Sequence, residues 1–248
     1  MRPCKHFRYT EKRRKDVRRM DDVKLIPVAR IRNDFISKFG LPRQSGLIQT
    51  LESTLVFEPE FRNSDALRGL EDYTHLWLIW GFSENVREGW SPTVRPPRLG
   101  GNKRMGVFAT RSPFRPNPLG LSCVKLRSIN LNDPSSPTLT ITGADMMNGT
   151  PVYDIKPYLP YTDSIPDAVG GFAHGAPEAP LTVEFPEHWL KMVPGKKRAT
   201  LMQVLAADPR PAYQENPERV YGFGYAGLDI RFRVKDGVLT VVEIVAVL

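Results

Sequence analysis

Cysteine and histidine are both scarce in this chain of 248 residues, which contains two cysteines and four histidines. Cys4 and Cys123 lie far apart, and the histidines show no spacing typical of metal ligands. The sequence therefore predicts neither a disulfide framework nor a bound metal ion. It also lacks an apolar run long enough to span a membrane, and no apolar segment follows the basic N-terminus as it would in a secretory signal. We expect a cytoplasmic protein with no membrane partner.

A glycine fingerprint for dinucleotides is missing as well. Gly100, Gly101 and Gly106 do not form G-x-G-x-x-G between a strand and a helix. Short apolar or alternating segments separated by turn residues indicate an antiparallel or mixed barrel instead. These segments cover residues 23–31, 53–57, 75–82, 105–110, 119–129, 138–144 and the stretch after Asn148-Gly149, a hairpin signal. Short helices are predicted over residues 66–72 and 196–207, so the fold class is mainly β with some α.

The chain divides into three predicted parts. Residues 1–22 are a basic arm that either helps to hold RNA through counterion release or is a frayed, solvated terminus. Residues 23–190 form the barrel-like domain, and residues 191–248 form a small α+β domain that ends in a hairpin at Asp236-Gly237. Residues 160–180 form a long loop that fits a mobile flap, a dimer contact or a plain surface excursion.

Positive charge is in excess, with 35 lysines and arginines against 27 aspartates and glutamates, a net charge of +8. This balance favours a polyanionic partner such as nucleic acid, although many basic proteins are simply soluble in this way. Six of the basic residues lie in residues 90–120, which contain no carboxylate and six prolines. We predict rigid cationic loops around one buried strand, at the mouth of a site for an anionic partner, or alternatively a solvated proline-rich loop. The RNA-binding residues expected here are Arg95, Arg98, Lys103, Arg104 and Arg115.

The same stretch, WSPTVRPPRLGGNKRMGVFATRSPFRPNPLG, resembles the signature of the TrmO-type tRNA methyltransferases. Four further stretches fit the family in order: LPRQSGL, DALRGLEDYTHLW, NGTPVYDIKPYLP and DPRPAY. The resemblance implies a single-sheeted β-barrel, S-adenosylmethionine as the methyl donor and tRNA as the substrate. It also implies methylation of the exocyclic amine of threonylcarbamoyladenosine 3′ of the anticodon. A homodimer whose donor pocket is completed by the partner subunit is implied too.

Donor contacts are carried over onto matching positions of this chain. In LPRQSGL, Arg43 is expected to meet the carboxylate of the donor through charge-assisted hydrogen bonds. Ser83 and Glu84, at the end of a buried strand, stand where family members often have histidine and glutamine. The donor-binding residues implied by the resemblance are Pro42, Arg43, Gln44, Ser83, Glu84, Arg111, Leu121, Gly143, Ala144 and Asp145.

Methyl transfer from a sulfonium depends mainly on positioning, so no nucleophile-base pair is required, and none is visible. Asp145 and Asp154 flank the NGTP turn and are candidates for steering the amine, although Asp154 alternatively satisfies a backbone turn. The threonyl carboxylate of the acceptor calls for a guanidinium, for which Arg210, Arg111 and Arg115 are candidates. In DPRPAY, Tyr213 is expected to stack on the base, while Asp208 acts at the site or orients Arg210. The catalytic candidates are Asp145, Asp154, Asp208, Arg210 and Tyr213.

Two classes of function remain open from the sequence. The first is an S-adenosylmethionine-dependent tRNA methyltransferase with no DNA partner, and the alternative is a non-catalytic basic RNA-binding module of the same fold. A small-molecule methyltransferase is a third candidate, which the positive net charge disfavours. Trp77 and Trp80 do not decide between them, because aromatic residues in a buried strand belong to the core more often than they stack on a base. Binding of the methyl donor distinguishes the two.

Overall fold

Twelve strands and three α-helices are present in the part of the chain that the structure, a computed structural model, describes: residues 24–84, 90–132, 137–175, 179–210 and 216–247. The predicted basic arm over residues 1–22 lies outside them. The strands are β1 (Ala29–Arg32), β2 (Glu52–Phe57), β3 (His75–Gly81), β4 (Thr93–Val94), β5 (Met105–Gly106), β6 (Leu119–Asn130), β7 (Thr138–Thr142), β8 (Pro151–Pro157), β9 (Thr182–Glu184), β10 (Tyr221–Tyr225), β11 (Leu228–Lys235) and β12 (Val238–Ala246). The helices are α1 (Pro160–Asp163), α2 (Glu187–Leu190) and α3 (Gly195–Ala206). None of these helices combines the length and apolar composition needed to cross a membrane.

Six strands close into one antiparallel barrel in the order β1-β2-β7-β6-β3-β8. Closure is completed by β8, which pairs with β1, so no edge of this sheet stays unpaired. Alternate residues point inward, as strand geometry requires: on β3, Leu76, Leu78 and Trp80 are buried. Trp77, which points the other way, is half-buried. The predicted mainly-β class with a single-sheeted barrel is therefore confirmed.

A second sheet has the order β10-β11-β12-β9, and α3 packs on it through Leu201, Val204 and Leu205. The pairs β10-β11 and β11-β12 are antiparallel, while β9 lies parallel to β12. Because β9 belongs to this sheet, the sheet starts earlier in the chain than the predicted boundary between residues 190 and 191. Parallel pairing of three residues with a distant strand leaves no local signal in the sequence.

The segment between β1 and β2, residues 33–51, joins the barrel to the second core. Phe35, Ile48 and Leu51 of this segment are buried among residues of β10, β11 and α3. The Phe35 ring lies 5.1 Å from the Tyr225 ring, measured between centroids. Polar contacts reinforce the packing, since the Thr200 hydroxyl donates to the Thr50 carbonyl at 3.0 Å. LPRQSGL, which lies inside this segment, is therefore held against the C-terminal sheet.

Several local predictions need correction. In residues 105–110 only Met105 and Gly106 are in a strand; residues 107–109 form a 3₁₀ turn with Phe108 75% exposed. The predicted helix over residues 66–72 is two 3₁₀ turns separated by Gly69, whose φ of 83° breaks a helix. The first strand begins only at Ala29, because the proline at position 27 removes a backbone donor just before it.

Of the two hairpins predicted from turn residues, one is present in the structure. Asp236 and Gly237 have φ values of 50° and 77° and join the antiparallel strands β11 and β12, which confirms the hairpin. Asn148-Gly149 does form a turn, with φ of 84° at Gly149, but it joins β7 to β8, and these strands are not neighbours in the barrel. The predicted hairpin at this position is wrong because the turn signal does not specify which strands pair.

We predict that Gly40→Ala destabilises the fold more than Gly69→Ala. Both glycines have φ of 83°, so each substitution costs about 1–2 kcal/mol in left-handed backbone. A methyl group at position 40 would also collide with the ring of Phe223, whereas a methyl at position 69 meets nothing within 4 Å. Overpacking adds about 1–3 kcal/mol at position 40 only. Denaturant unfolding of both variants measures the difference, and equal losses would contradict the docking of this segment on β10.

Candidate functional site

The loop LPRQSGL meets the turn that follows β7. The Gly46 amide donates to the Gly143 carbonyl at 2.8 Å, and the Gly143 amide donates to the Leu51 carbonyl at 3.0 Å. Gly143 has φ of 84°, and a β-carbon there would lie 3.3 Å from the Gly46 Cα. Glycine at position 143 permits both the backbone conformation and the close approach. Pro42, Gly143 and Ala144 are buried at this junction.

Arg111 connects the proline-rich signature to the same junction. Its guanidinium donates to the Gln44 side-chain oxygen and acts electrostatically on Asp145. Burial raises the pKa of Asp145 above its ordinary value; hydrogen bonds, including those from Ser122 and the Ser45 backbone, and the charge of Arg111 oppose this rise without cancelling it. The structure thus brings together residues that are far apart in sequence.

Two residues that the sequence analysis did not place at the site support Asp145 from inside the barrel. The Trp80 indole donates to the Ser122 hydroxyl at 2.9 Å, and that hydroxyl donates to Asp145 Oδ1 at 2.6 Å. Ser122 is 1% exposed, and its inward direction follows from the alternation that also buries Val124 on β6. Period-two alternation would have indicated an inward polar residue. Leu121, its neighbour on β6, faces outward and is 56% exposed.

The DPR turn of DPRPAY, residues 208–210, lies beside LPRQSGL. Asp208 and Arg210 form a two-bond ion pair, with 2.8 Å from Nε to Oδ1 and 2.8 Å from Nη2 to Oδ2. The Arg43 guanidinium donates to the Asp208 carbonyl at 3.5 Å. Burial acts to raise the pKa of Asp208, but the hydrogen bonds and charge of Arg210, with Arg43 adding to them, outweigh burial and hold that pKa below its ordinary value. Tyr213 lies outside the described residues.

Three expected site residues stand apart from this cluster. Ser83 and Glu84 are exposed directly after β3, and no hydrogen bond within the described ranges joins them to the other donor residues. Asp154, on β8, forms an ion pair with Lys156 at 3.1 Å and accepts a hydrogen bond from the Ile155 amide. That arrangement matches the alternative in which Asp154 satisfies local backbone.

The expected RNA-binding residues divide into two kinds. Arg98 donates to the carbonyls of Ala173 and Gly175, Arg104 donates to the Thr93 hydroxyl, and Arg115 donates to the Thr110 carbonyl. The bonds of Arg104 and Arg115 lie within the signature, whereas those of Arg98 join it to the loop at residues 160–180. Arg95 and Lys103 are exposed. The five cations therefore both stiffen and charge this surface.

Comparison with known proteins places this geometry in a family. The family model for the tRNA-methyltransferase O N-terminal domain matches residues 30–164, and the model for the TrmO C-terminal domain matches residues 178–247. The tRNA (adenine(37)-N6)-methyltransferase of Escherichia coli K12 is 44% identical over 214 residues, which span 83% of this chain and 91% of that protein.

Two proteins of Pseudomonas aeruginosa are also similar. One, whose name includes the words "S-adenosylmethionine-dependent methyltransferase", is 40% identical over 214 residues, covering 83% of this chain and 90% of that protein. A crystal structure of TrmO superposes with a TM-score of 0.72 at 31% identity, covering 91% of this chain and 99% of that one. Matches to both domains and to the whole fold confirm the resemblance seen in the motifs: the chain belongs to the TrmO family of tRNA methyltransferases.

Proposed function

We propose that this protein is an S-adenosylmethionine-dependent tRNA methyltransferase that methylates the exocyclic amine of threonylcarbamoyladenosine 3′ of the anticodon. The observation that carries the proposal is the convergence of LPRQSGL, Arg111, the turn at residues 143–145 and the DPR turn at one place, in a chain that matches both domains of the family. Named relatives favour this enzyme over a non-catalytic RNA-binding module.

The junction suits the donor chemically. Arg43 is exposed, and its guanidinium supplies paired donors for a carboxylate. Arg111 fixes the Gln44 amide, and the glycine at position 143 lets the backbone of LPRQSGL lie close against the turn after β7. When bound, S-adenosylmethionine would supply an electrophilic methyl group. The residues assigned to hold it are Pro42, Arg43, Gln44, Arg111, Leu121, Gly143, Ala144 and Asp145, with Ser83 and Glu84 following β3.

The acceptor side is assigned to the DPR turn and to Asp145. The two bonds from Asp208 hold the Arg210 guanidinium in one orientation, with side chains only 22% and 17% exposed. A fixed guanidinium favours an acceptor that carries an additional carboxylate, which separates threonylcarbamoyladenosine from plain adenosine. The half-buried Asp145 carboxylate faces the amine, and Tyr213 stacks on the base. Arg95, Arg98, Lys103, Arg104 and Arg115 bind the tRNA backbone, and the enzyme acts in the cytoplasm.

Methylation of isolated tRNA tests the function directly. With S-adenosylmethionine, we expect tRNA that carries threonylcarbamoyladenosine to gain one methyl group at this nucleoside, detected by mass spectrometry. Transcripts that lack the modification should react at least about tenfold more slowly, because the charge-assisted bonds to the carboxylate are lost. If the protein binds tRNA but neither binds nor uses the donor, the non-catalytic RNA-binding module is the correct function.

A pair of substitutions separates donor binding from RNA binding. We expect Arg43→Ala to weaken S-adenosylmethionine binding by roughly tenfold to a hundredfold, since charged hydrogen bonds are worth about 1.5–3 kcal/mol, while tRNA affinity changes little. The matched control Lys103→Ala, also an exposed cation, should leave donor binding intact and reduce the salt slope of tRNA affinity by about one. Calorimetry and filter binding measure the two quantities. Equal weakening of both ligands by Arg43→Ala would move this residue to the RNA surface.

The assembly is proposed to be a homodimer whose partner subunit completes the donor pocket. Leu121 is 56% exposed beside Ser122, and the signature presents an exposed pair, Trp90 at 53% and Phe108 at 75%, with ring centroids 6.4 Å apart. Exposed apolar groups around a site are typical of surfaces that a partner covers. We expect a two-fold dimer by light scattering at micromolar concentration. A fully active particle of 28.1 kDa would show that one chain suffices.

A further inference from the structure

The indole of Trp80 is fixed more firmly than a core residue needs. It is 7% exposed, and its ring centroid lies 4.4 Å from that of Phe82. A β-carbon on Gly120, the residue that faces it on β6, would overlap the indole ring. The glycine thus lets the ring lie directly against the β6 backbone. The indole N–H donates to the Ser122 hydroxyl at 2.9 Å.

The direction of the next hydrogen bond follows from this one. An indole N–H can only donate, so the Ser122 oxygen is the acceptor in that bond. Its single proton is then available for Asp145 Oδ1, 2.6 Å away. A serine hydroxyl without the indole could rotate and accept instead. The chain Trp80–Ser122–Asp145 therefore has a fixed polarity that runs outward from the barrel interior to the carboxylate.

We propose that Ser122, with Trp80 behind it, is a positioning residue that fixes the Asp145 carboxylate for methyl transfer. The proposal rests on the proposed function. Oδ1 is committed to the serine proton, so Oδ2 is the oxygen that receives the proton of the acceptor amine. As the nitrogen bonds to the methyl carbon, the carbon–sulfur bond breaks and its electron pair remains on sulfur. The proton that leaves nitrogen goes to Oδ2, which balances charge and atoms.

Loss of the serine hydroxyl shifts the pH dependence of activity in one direction. Arg111 is the charged group that acts on Asp145 from the described residues around it; Ser122 and the Ser45 amide act only as hydrogen-bond donors. Each of the three favours the ionised carboxylate. Removing the serine hydroxyl removes one of these contributions, so the pKa of Asp145 rises further. Activity that requires the ionised form is then lost at a higher pH than in the wild type.

Two measurements on the full chain test the proposal, with Ser122→Ala as the main variant. The titration of Asp145 is followed by NMR of the aspartate carboxyl carbons without ligands, assigned with Asp145→Asn. The pH profile of kcat/KM is measured with modified tRNA. Ser53→Ala is the matched control, because Ser53 on β2 is also a buried serine, 2% exposed, and its hydroxyl accepts a hydrogen bond from Asn33 instead of bonding to Asp145.

In Ser122→Ala we expect the Asp145 titration and the acid limb of the kcat/KM profile to move together to higher pH. On that limb kcat/KM should fall by about tenfold, and the loss should shrink as pH rises. Trp80→Phe keeps an aromatic ring and removes the indole N–H. It should therefore shift the Asp145 titration and the acid limb in the same direction as Ser122→Ala, but by less. If Ser122→Ala does not fold, the shift in Trp80→Phe tests the positioning role instead. Ser53→Ala should move neither.

The outcomes separate the two proposals. A wild-type protein that fails to methylate modified tRNA overturns the proposed function. The proposed role of the chain Trp80–Ser122–Asp145 in methyl transfer is then overturned as well. An active wild type with an unmoved acid limb in Ser122→Ala overturns the positioning role alone. Uniform loss at every pH with an unchanged Asp145 titration would give Ser122 a purely structural role and would also overturn the proposal.

Discussion

The packing of residues 33–51 into the C-terminal core is the constraint on which the site depends. Phe35 near its start and Ile48 with Leu51 near its end are buried against β10, β11 and α3, so the intervening LPRQSGL is anchored at both ends. A loop without such anchors would lose conformational entropy when it binds a ligand, and this loss would weaken binding. The second sheet therefore holds this loop in place beside the barrel, and under the proposed function the C-terminal domain contributes to the site.

The barrel supplies the other half of the site, and it does so with polar groups in its interior. Buried polar atoms are tolerated when each has a partner, and Trp80, Ser122 and Asp145 satisfy one another in series. The series ends at the turn after β7, where the Gly143 carbonyl also accepts a hydrogen bond from Gly46 of LPRQSGL. Residues 143–145 thus contact two parts of the molecule. Asp145 accepts the hydrogen bond from Ser122 in the barrel, and Gly143 accepts one from Gly46 in LPRQSGL.

Patterns local in sequence predicted much of this molecule, and contacts between distant segments account for the rest. A continuous apolar run predicted β3, alternation predicted β6, short apolar segments and turn residues predicted β2 and the last hairpin, and five ordered motifs indicated the family. The contact of Trp80 with Ser122 spans 42 residues and depends on the register of β3 against β6, which alternation alone does not fix. The parallel pairing of β9 and the docking of Phe35 were likewise invisible, because neither leaves a periodic signal in its own segment.

The two aspartates of the site illustrate how environment separates residues of the same type. Burial raises the pKa of Asp145, whereas Arg210 and Arg43 together hold the pKa of Asp208 below its ordinary value despite burial. Asp208 also occupies left-handed backbone, with φ of 53°, a conformation that aspartate tolerates better than most residues. Its carboxylate remains ionised and fully engaged in orienting Arg210. Asp145 is the carboxylate whose pKa is raised, and under the proposed function it is the group that takes the proton of the acceptor amine. From the sequence both residues were catalytic candidates, with the orientation of Arg210 as the alternative role of Asp208. Burial prevails at Asp145 and is outweighed by Arg210 at Asp208, so the pKa values of the two carboxylates move in opposite directions.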